Sequence, residues 1–228
     1  KGQEIKCVGK DKTYATIVNF SMNESDEITA VSKNLRDETY RNCRMEKEIE
    51  VIYNFVDIKR CERTPVHAFR QIIAPNNEKI ILHASNFRKV KRVGDVVKVF
   101  EQLNKKIPSK LLFVGDGPER SYVERLSREC DCHNDIRFLG RQEQMEDILA
   151  ISDLFVLPSE YESFGLVALE AMAASVAVAS TNVGGLHEIN IDGVTGILSD
   201  VGDVDDMGKR VIELFSNETA LAQMKKDA

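Results

Sequence analysis

From Glu78 onward, short runs of branched and aromatic residues alternate with longer segments in which apolar side chains recur every three or four positions. Runs of the first kind are too short for buried helices and read as strands, whereas the second period is that of an amphipathic helix. The pattern predicts strands at 79–84, 110–114, 136–139, 154–157 and 176–180, with a short one at 196–198. Helices are predicted at 94–106, 119–130, 144–151, 164–174 and 204–215. Apolar strands alternating with helices imply a doubly wound parallel sheet covered on both faces, an α/β fold. Ligands of such sheets sit beyond the carboxyl ends of the strands.

Before Glu78 the signal is thinner. Segments 27–32 and 49–55 read as strands with a polar helix, 34–43, between them; a short strand at 5–8 and a helix at 14–22 precede these. This is too little to close a sheet, so residues 1–57 are expected to be the C-terminal part of a second, incomplete α/β domain. Residues 58–77 contain Pro65 and Pro75 and no long apolar period, and are expected to form the interdomain linker, with one helical turn near 66–72. Residues 78–228 then form the ligand-binding domain. The helical pattern persists into Lys225-Lys226-Asp227-Ala228.

Composition narrows the function. With 228 residues, 43% of them hydrophobic, the chain can bury a sizeable core. A formal charge of -6 argues against a general nucleic-acid binder, which needs net basic surface. No run approaches the roughly 18 apolar residues of a membrane span, and the first residues do not resemble a signal peptide, so a soluble, cytoplasmic protein is expected. A homo-oligomer is compatible with this reading. The five cysteines have no disulfide-scaffold spacing. Cys130-Asp131-Cys132-His133 lacks the C-x2-C spacing and second ligand pair of a zinc site, so no metal is expected.

The chemistry concentrates in Ser159 to Ala174. Glu170 sits amid an almost wholly apolar helix, where a lone carboxylate is costly unless paired. It is either an edge residue tied to a core amide or an Arg, or an acceptor for ligand hydroxyls. The second reading has a geometric use. Free N–H groups at Ser163, Phe164, Gly165 and Leu166 could hold a phosphate at the helix N-terminus. Glu170 would then lie about 9 Å further along the axis, at the distance of a ribose. Glu162, in the preceding loop, would face the other side of the phosphate. The arrangement suits a nucleotide diphosphate carrying a sugar.

Two further strand ends contribute. Asn86-Phe87-Arg88-Lys89-Val90-Lys91-Arg92 places four cations in five residues after the strand at 79–84. Such a charge run is usually a solvated turn, but this position in an acidic chain favours an anion site that offsets a diphosphate and stabilises it as a leaving group; Arg88 and Lys91 are the first candidates and Arg92 the next. Val114-Gly115-Asp116-Gly117-Pro118-Glu119 fails the dinucleotide fingerprint, because position 120 is Arg where the third Gly belongs. An oxidoreductase is thereby disfavoured.

Taken together, Glu162-Ser163-Phe164-Gly165-Leu166-Val167-Ala168-Leu169-Glu170, V-G-D-G-P-E and Val183-Gly184-Gly185-Leu186-His187-Glu188 resemble the motifs of retaining, GT-B-fold glycosyltransferases of the E-x7-E type, group 1 or family four. The cation loop is similar to that of the subgroup transferring N-acetylglucosamine to L-malate in bacillithiol biosynthesis. The resemblance implies a Rossmann-like UDP-sugar donor domain and a hexosyltransferase that needs no cofactor beyond its donor substrate. It implies catalytic roles for Arg88, Lys91 and Glu162, with Glu162 positioning the sugar. Donor binding is implied for Asn86, Arg141, Ser163, Phe164, Gly165, Leu166 and Glu170, the last at the ribose and Arg141 near the uracil. The acceptor implied is a small hydroxy acid. It also implies a chain partial at both ends, and this sequence departs from the pattern at three places: Lys1 replaces a His, His187 a Pro, and Ala174-Ser175-Val176-Ala177 a C-G-x-P turn. A non-catalytic nucleotide-sugar-binding module is the alternative reading.

Overall fold

The structure is a computed structural model describing residues 12–61 and 67–228, with side chains from Ala15 onward. The strand expected at 5–8 and Lys1 lie outside the described residues. Helix α1 (Lys12–Asn23), strand β1 (Ile28–Ala30), helix α2 (Lys33–Asn42) and strand β2 (Ile49–Val51) form a small unit in which the two strands pair in parallel. Its core is Ala30, Leu35 and Ile49. Helix α2 starts where it does because the hydroxyl of Ser32 accepts the Leu35 N–H at 3.0 Å. The strand predicted at 49–55 stops early. Ile52 still donates to the Ala30 carbonyl at 2.9 Å, but β1 ends there, and Phe55 is 89% exposed. Alternation survives in the sequence where there is no neighbouring backbone to pair with.

Two helices, α3 (Ile58–Cys61) and α4 (His67–Ile73), occupy the segment in which a single turn was expected. Each is too short to display a period. Packing holds α4 instead: Arg70 donates to the carbonyls of Ile151 and Glu78 and pairs with Asp153 at 2.8 Å, while Asp153 also accepts the Ile80 N–H at 2.8 Å.

The larger unit follows the predicted alternation. Its strands are β3 (Lys79–Ser85), β4 (Ser109–Gly115), β5 (Ile136–Gly140), β6 (Leu154–Leu157), β7 (Ala177–Thr181) and β8 (Gly196–Ser199). The helices are α5 (Val93–Asn104), α6 (Arg120–Glu129), α7 (Met145–Ala150), α8 (Leu166–Ala173), α9 (Leu186–Ile189), α10 (Val204–Phe215) and α11 (Glu218–Asp227). All six strands are parallel in the order β5-β4-β3-β6-β7-β8. Alternate residues point to opposite faces: Ile81, Leu111, Phe113, Leu154 and Val156 pack under α5, α6, α10 and α11. Ile80, Leu82, Leu112, Phe155 and Leu157 pack under α4, α7, α8 and α9. Both faces are buried, which is why the strands read as continuous apolar runs.

Strand order fixes the place for a ligand. The chain leaves β3 toward β4 and β5, then returns to the other side of β3 with β6. Connections on either side of that pair run to opposite ends of the sheet, opening a crevice at the carboxyl ends of β3 and β6.

Candidate functional site

The loop after β3 and the loop after β6 meet at this crevice. Lys91, at the end of a 3-10 turn (Lys89–Lys91), places Nζ 2.5 Å from Oε1 of Glu162, and Ser159 donates its hydroxyl to the same oxygen at 2.8 Å. Both partners are largely buried. Two candidates 71 positions apart in the chain are thus in direct contact. Arg88 stands exposed at the head of the same turn, with no side-chain partner among the described residues, and Asn86 is also exposed. Arg92, the remaining candidate of this loop, is turned away. Its guanidinium pairs with Asp95 at 2.6 Å at the start of α5, so it fixes a helix end.

Close backbone packing shapes the cation loop. A Cβ on Gly115 would lie 1.9 Å from the Ser85 carbonyl oxygen, and one on Gly117 2.1 Å from that of Asn86. The V-G-D-G-P-E turn therefore rests directly on residues 85–87, and Glu119 donates its N–H to the Phe87 carbonyl at 2.8 Å. Beneath the loop lies a residue that sequence reading missed. His83 is wholly buried, with Nδ1 2.8 Å from the Val156 carbonyl and Nε2 2.8 Å from the Ser85 hydroxyl. A carbonyl only accepts, so Nδ1 carries the proton and Nε2 accepts from Ser85. Burial holds the ring neutral, pushing its pKa down to about 4, with the Val156 hydrogen bond opposing and Lys91 adding to the shift. A buried His two residues from a Ser in a strand was the available signal.

Helix α8 begins later than predicted, at Leu166, because Gly165 takes the left-handed conformation (φ +93°) as its cap. A Cβ there would meet Leu186 at 2.4 Å. The N–H groups of Gly165, Leu166 and Val167 have no protein acceptor among the described residues, whereas Ala168 and Leu169 donate to the Gly165 carbonyl. Phe164 is buried and carries the turn into the core, with the ring of Tyr53 6.2 Å away.

Glu170 lies one turn into α8 and faces a cavity of about 240 Å³. Phe55, Val56, Arg60 and Cys61 line it from the segment after β2 and from α3; Glu143, Met145, Glu146 and Leu149 line it from α7 and the loop before it. Burial raises the Glu170 pKa, Glu146 raises it further, and Arg60 pulls it back. Arg60 is itself paired with Glu146, and Glu170 makes no hydrogen bond or ion pair with the described residues. Its carboxylate is thus neither tied to a core amide nor locked to a protein cation. Arg141 is exposed, two residues before the cavity wall begins at Glu143.

Among the described residues no group of three or more His, Cys, Asp or Glu side chains is placed to hold a metal ion. Cys130 and Cys132 sit in the core with their sulfurs 3.2 Å apart. Burial, then the hydrogen bond with Cys130, pushes the Cys132 thiol up to about 12, which keeps it protonated and unreactive. His187 is exposed.

The sequence profile of the family described as Glycosyl transferases group 1 matches residues 67–228. The chain belongs to that family. This group 1 glycosyltransferase is 40% identical over 218 residues to the N-acetyl-alpha-D-glucosaminyl L-malate synthase of Bacillus anthracis, covering 95% of this chain and 57% of that protein. It is 30% identical over 217 residues to a glycogen synthase of Mycobacterium tuberculosis, covering 93% of this chain and 51% of that one. Among solved structures, Anabaena HepE in complex with UDP-glucose superposes with a TM-score of 0.86 at 23% identity, over 94% of this chain and 61% of the other. That likeness is one of fold, the GT-B fold. The chain therefore spans about half to three fifths of the length of the proteins it matches. Among the described residues no helix is long and apolar enough to cross a membrane.

Proposed function

We propose that this glycosyltransferase chain carries the donor half of a retaining enzyme that moves N-acetylglucosamine from UDP to a small hydroxy acid such as L-malate. The observation that carries the reading is the meeting of Lys91 and Glu162 at the crevice between β3 and β6, beside the free N-terminus of α8. Similarity to the malate synthase at 40% identity supports the sugar and the acceptor. In this reading Arg88 and Lys91 offset the diphosphate charge, and the N–H groups at 165–167 cradle it. A lysine ammonium has three donors, so Lys91 can keep Glu162 and still serve an incoming phosphate. Glu170 takes the ribose hydroxyls in the cavity that Arg60 and Glu146 help to form. Glu162, held by Ser159 and Lys91, orients the donor sugar. Asn86 and Arg141 are placed at the margins of the site, and Ser163 and Phe164 set the turn between Glu162 and the helix.

In the transfer, the bond from the anomeric carbon to the diphosphate breaks and one to the acceptor hydroxyl forms on the same face. The hydroxyl proton leaves with UDP. Fixed cations and helix N–H groups act where negative charge grows on the leaving group, so the reading needs no metal and draws on the cytoplasmic UDP-sugar pool.

Calorimetric titration with UDP tests the site. Glu170→Ala and Arg88→Ala are each expected to weaken UDP by about tenfold or more, as loss of a charged hydrogen-bond partner does; unchanged affinity in both would refute the assignment. Incubation of UDP-N-acetylglucosamine with malate tests turnover. UDP release that requires malate supports the enzyme, and tight UDP binding without release would leave a nucleotide-sugar-binding module.

A further inference from the structure

Glu188 stands on α9, directly after the glycine pair at 184–185, and has no part in the chemistry proposed above. Its carboxylate reaches across to the smaller unit. Oε1 accepts the Asn34 N–H at 2.7 Å, and Oε2 accepts the Lys33 N–H at 3.0 Å and the Tyr53 hydroxyl at 3.1 Å. Lys33 and Asn34 open α2, so their N–H groups have no partner within the helix, and a carboxylate there also meets the positive end of the helix dipole.

The same helix touches the signature turn twice more. Ser32, its cap, donates a hydroxyl hydrogen bond to the Ser163 carbonyl at 2.7 Å, and Glu38, further along α2, accepts the Tyr161 hydroxyl at 2.8 Å. Glu188 is bound to that turn from its own side. Gly185, at the head of α9, donates its N–H to the Glu162 carbonyl at 2.9 Å, and a Cβ on Gly184 would lie 1.7 Å from the same oxygen. Tyr161, Glu162 and Ser163 are therefore held at three successive positions, two by α2 directly and the middle one through the loop that Glu188 anchors to α2.

We propose that Glu188 is a positioning residue for the donor site. By occupying the N-terminus of α2 it keeps the 161–163 turn in register with the smaller unit, and so sets where the Glu162 carboxylate and the head of α8 stand. The inference deepens the donor-site reading and takes its ligand from that reading. It also makes sugar placement depend on the two units staying together: separating them breaks five hydrogen bonds that end on this turn or on Glu188.

The test compares UDP with UDP-N-acetylglucosamine by calorimetry, and hydrogen exchange of the ligand-free chain, in the parent and in Glu188→Ala and Glu188→Gln. Glu188→Ala is expected to weaken the UDP-sugar about tenfold more than UDP, since the turn at fault holds the sugar-side carboxylate. Glu188→Gln keeps one carbonyl acceptor and is expected to restore part of the ratio; it also carries the comparison should the alanine variant fail to fold. Exchange is expected to accelerate at 159–166 and 33–36 with β3 and β4 unchanged. A merely structural role would lower both affinities alike, and a ratio within about twofold of the parent would overturn the proposal. If the parent binds neither nucleotide, the donor-site reading fails by itself, and exchange decides Glu188 alone: acceleration at 159–166 sustains the clamp, and its absence overturns it.

Discussion

His83 shows how much of this site is held in place by groups that never meet a ligand. The fold accepts only its neutral ring, because burial puts its pKa near 4 against an ordinary value of 6.5. Above pH 6.5 both folded and unfolded chains are neutral there, and nothing is lost. As pH falls from 6.5 toward 4 the unfolded chain takes up a proton that the folded one refuses, and stability drops. The stability at stake is on the order of a few kcal/mol. Urea titrations across this window should show a decline that is much smaller in His83→Gln. Ser175 offers a prediction of opposite sign. It adopts φ +57° at the turn after α8, in the left-handed region where a side chain is strained and glycine is not. Ser175→Gly should therefore stabilise the protein by about 1 kcal/mol in the same assay. The departure from a C-G-x-P turn was visible in the sequence. What Ser175 does about it, keeping the glycine conformation at a cost, was not.

At the level of elements, the long amphipathic helices and apolar strands of the larger unit were legible, because both faces of the sheet are buried and each element carries its own period. Those that escaped are short or are held by others. Four-residue α3 and α9 have no period to show, and α4 is held by Arg70, whose partners Ile151 and Asp153 lie more than 80 positions away. Helix α8 starts two residues later than the apolar pattern predicts, since Phe164 belongs to the apolar run but precedes the glycine that opens the helix. Close backbone approach is equally silent in sequence. Gly184, at φ +55°, packs against the Glu162 carbonyl with no room for a Cβ. Gly184→Ala is expected to cost at least about 2 kcal/mol, from backbone strain and the displaced turn. A midpoint of unfolding unchanged from the parent would show that the turn yields freely.

At the scale of the molecule, the fold is a covered parallel sheet to which, among the described residues, a small unit is joined by hydrogen bonds from α2 and Tyr53 and by the Tyr53–Phe164 ring contact. Helix α11 is part of the core: Leu221 and Met224 are buried in the same cluster as α10, and Lys225 faces Asp153 at 3.6 Å, just before the start of β6. Burial depresses the Lys225 pKa, with Asp153 opposing. Deleting residues 217–228 is expected to remove about 3–5 kcal/mol, from two buried apolar side chains, and to lower the thermal midpoint accordingly. A truncated chain as stable as the parent would show that α10 alone closes that face.

Periodicity and composition by themselves determined the sheet, its helices, the acidic carboxylate within an apolar helix, and the cation cluster at a strand's end, because each of these is written in neighbouring residues. Lys91 was already ranked above Arg92 from sequence, but the partners that separate the two were a tertiary matter. Lys91 and Arg92 are adjacent and equally charged, yet one meets Glu162 and the other Asp95, since a backbone turn sends successive side chains opposite ways. The same holds for Glu188, ordinary in its own segment. Its partners lie 135 to 155 positions earlier, and only the packed fold brings an unpaired helix end to its carboxylate.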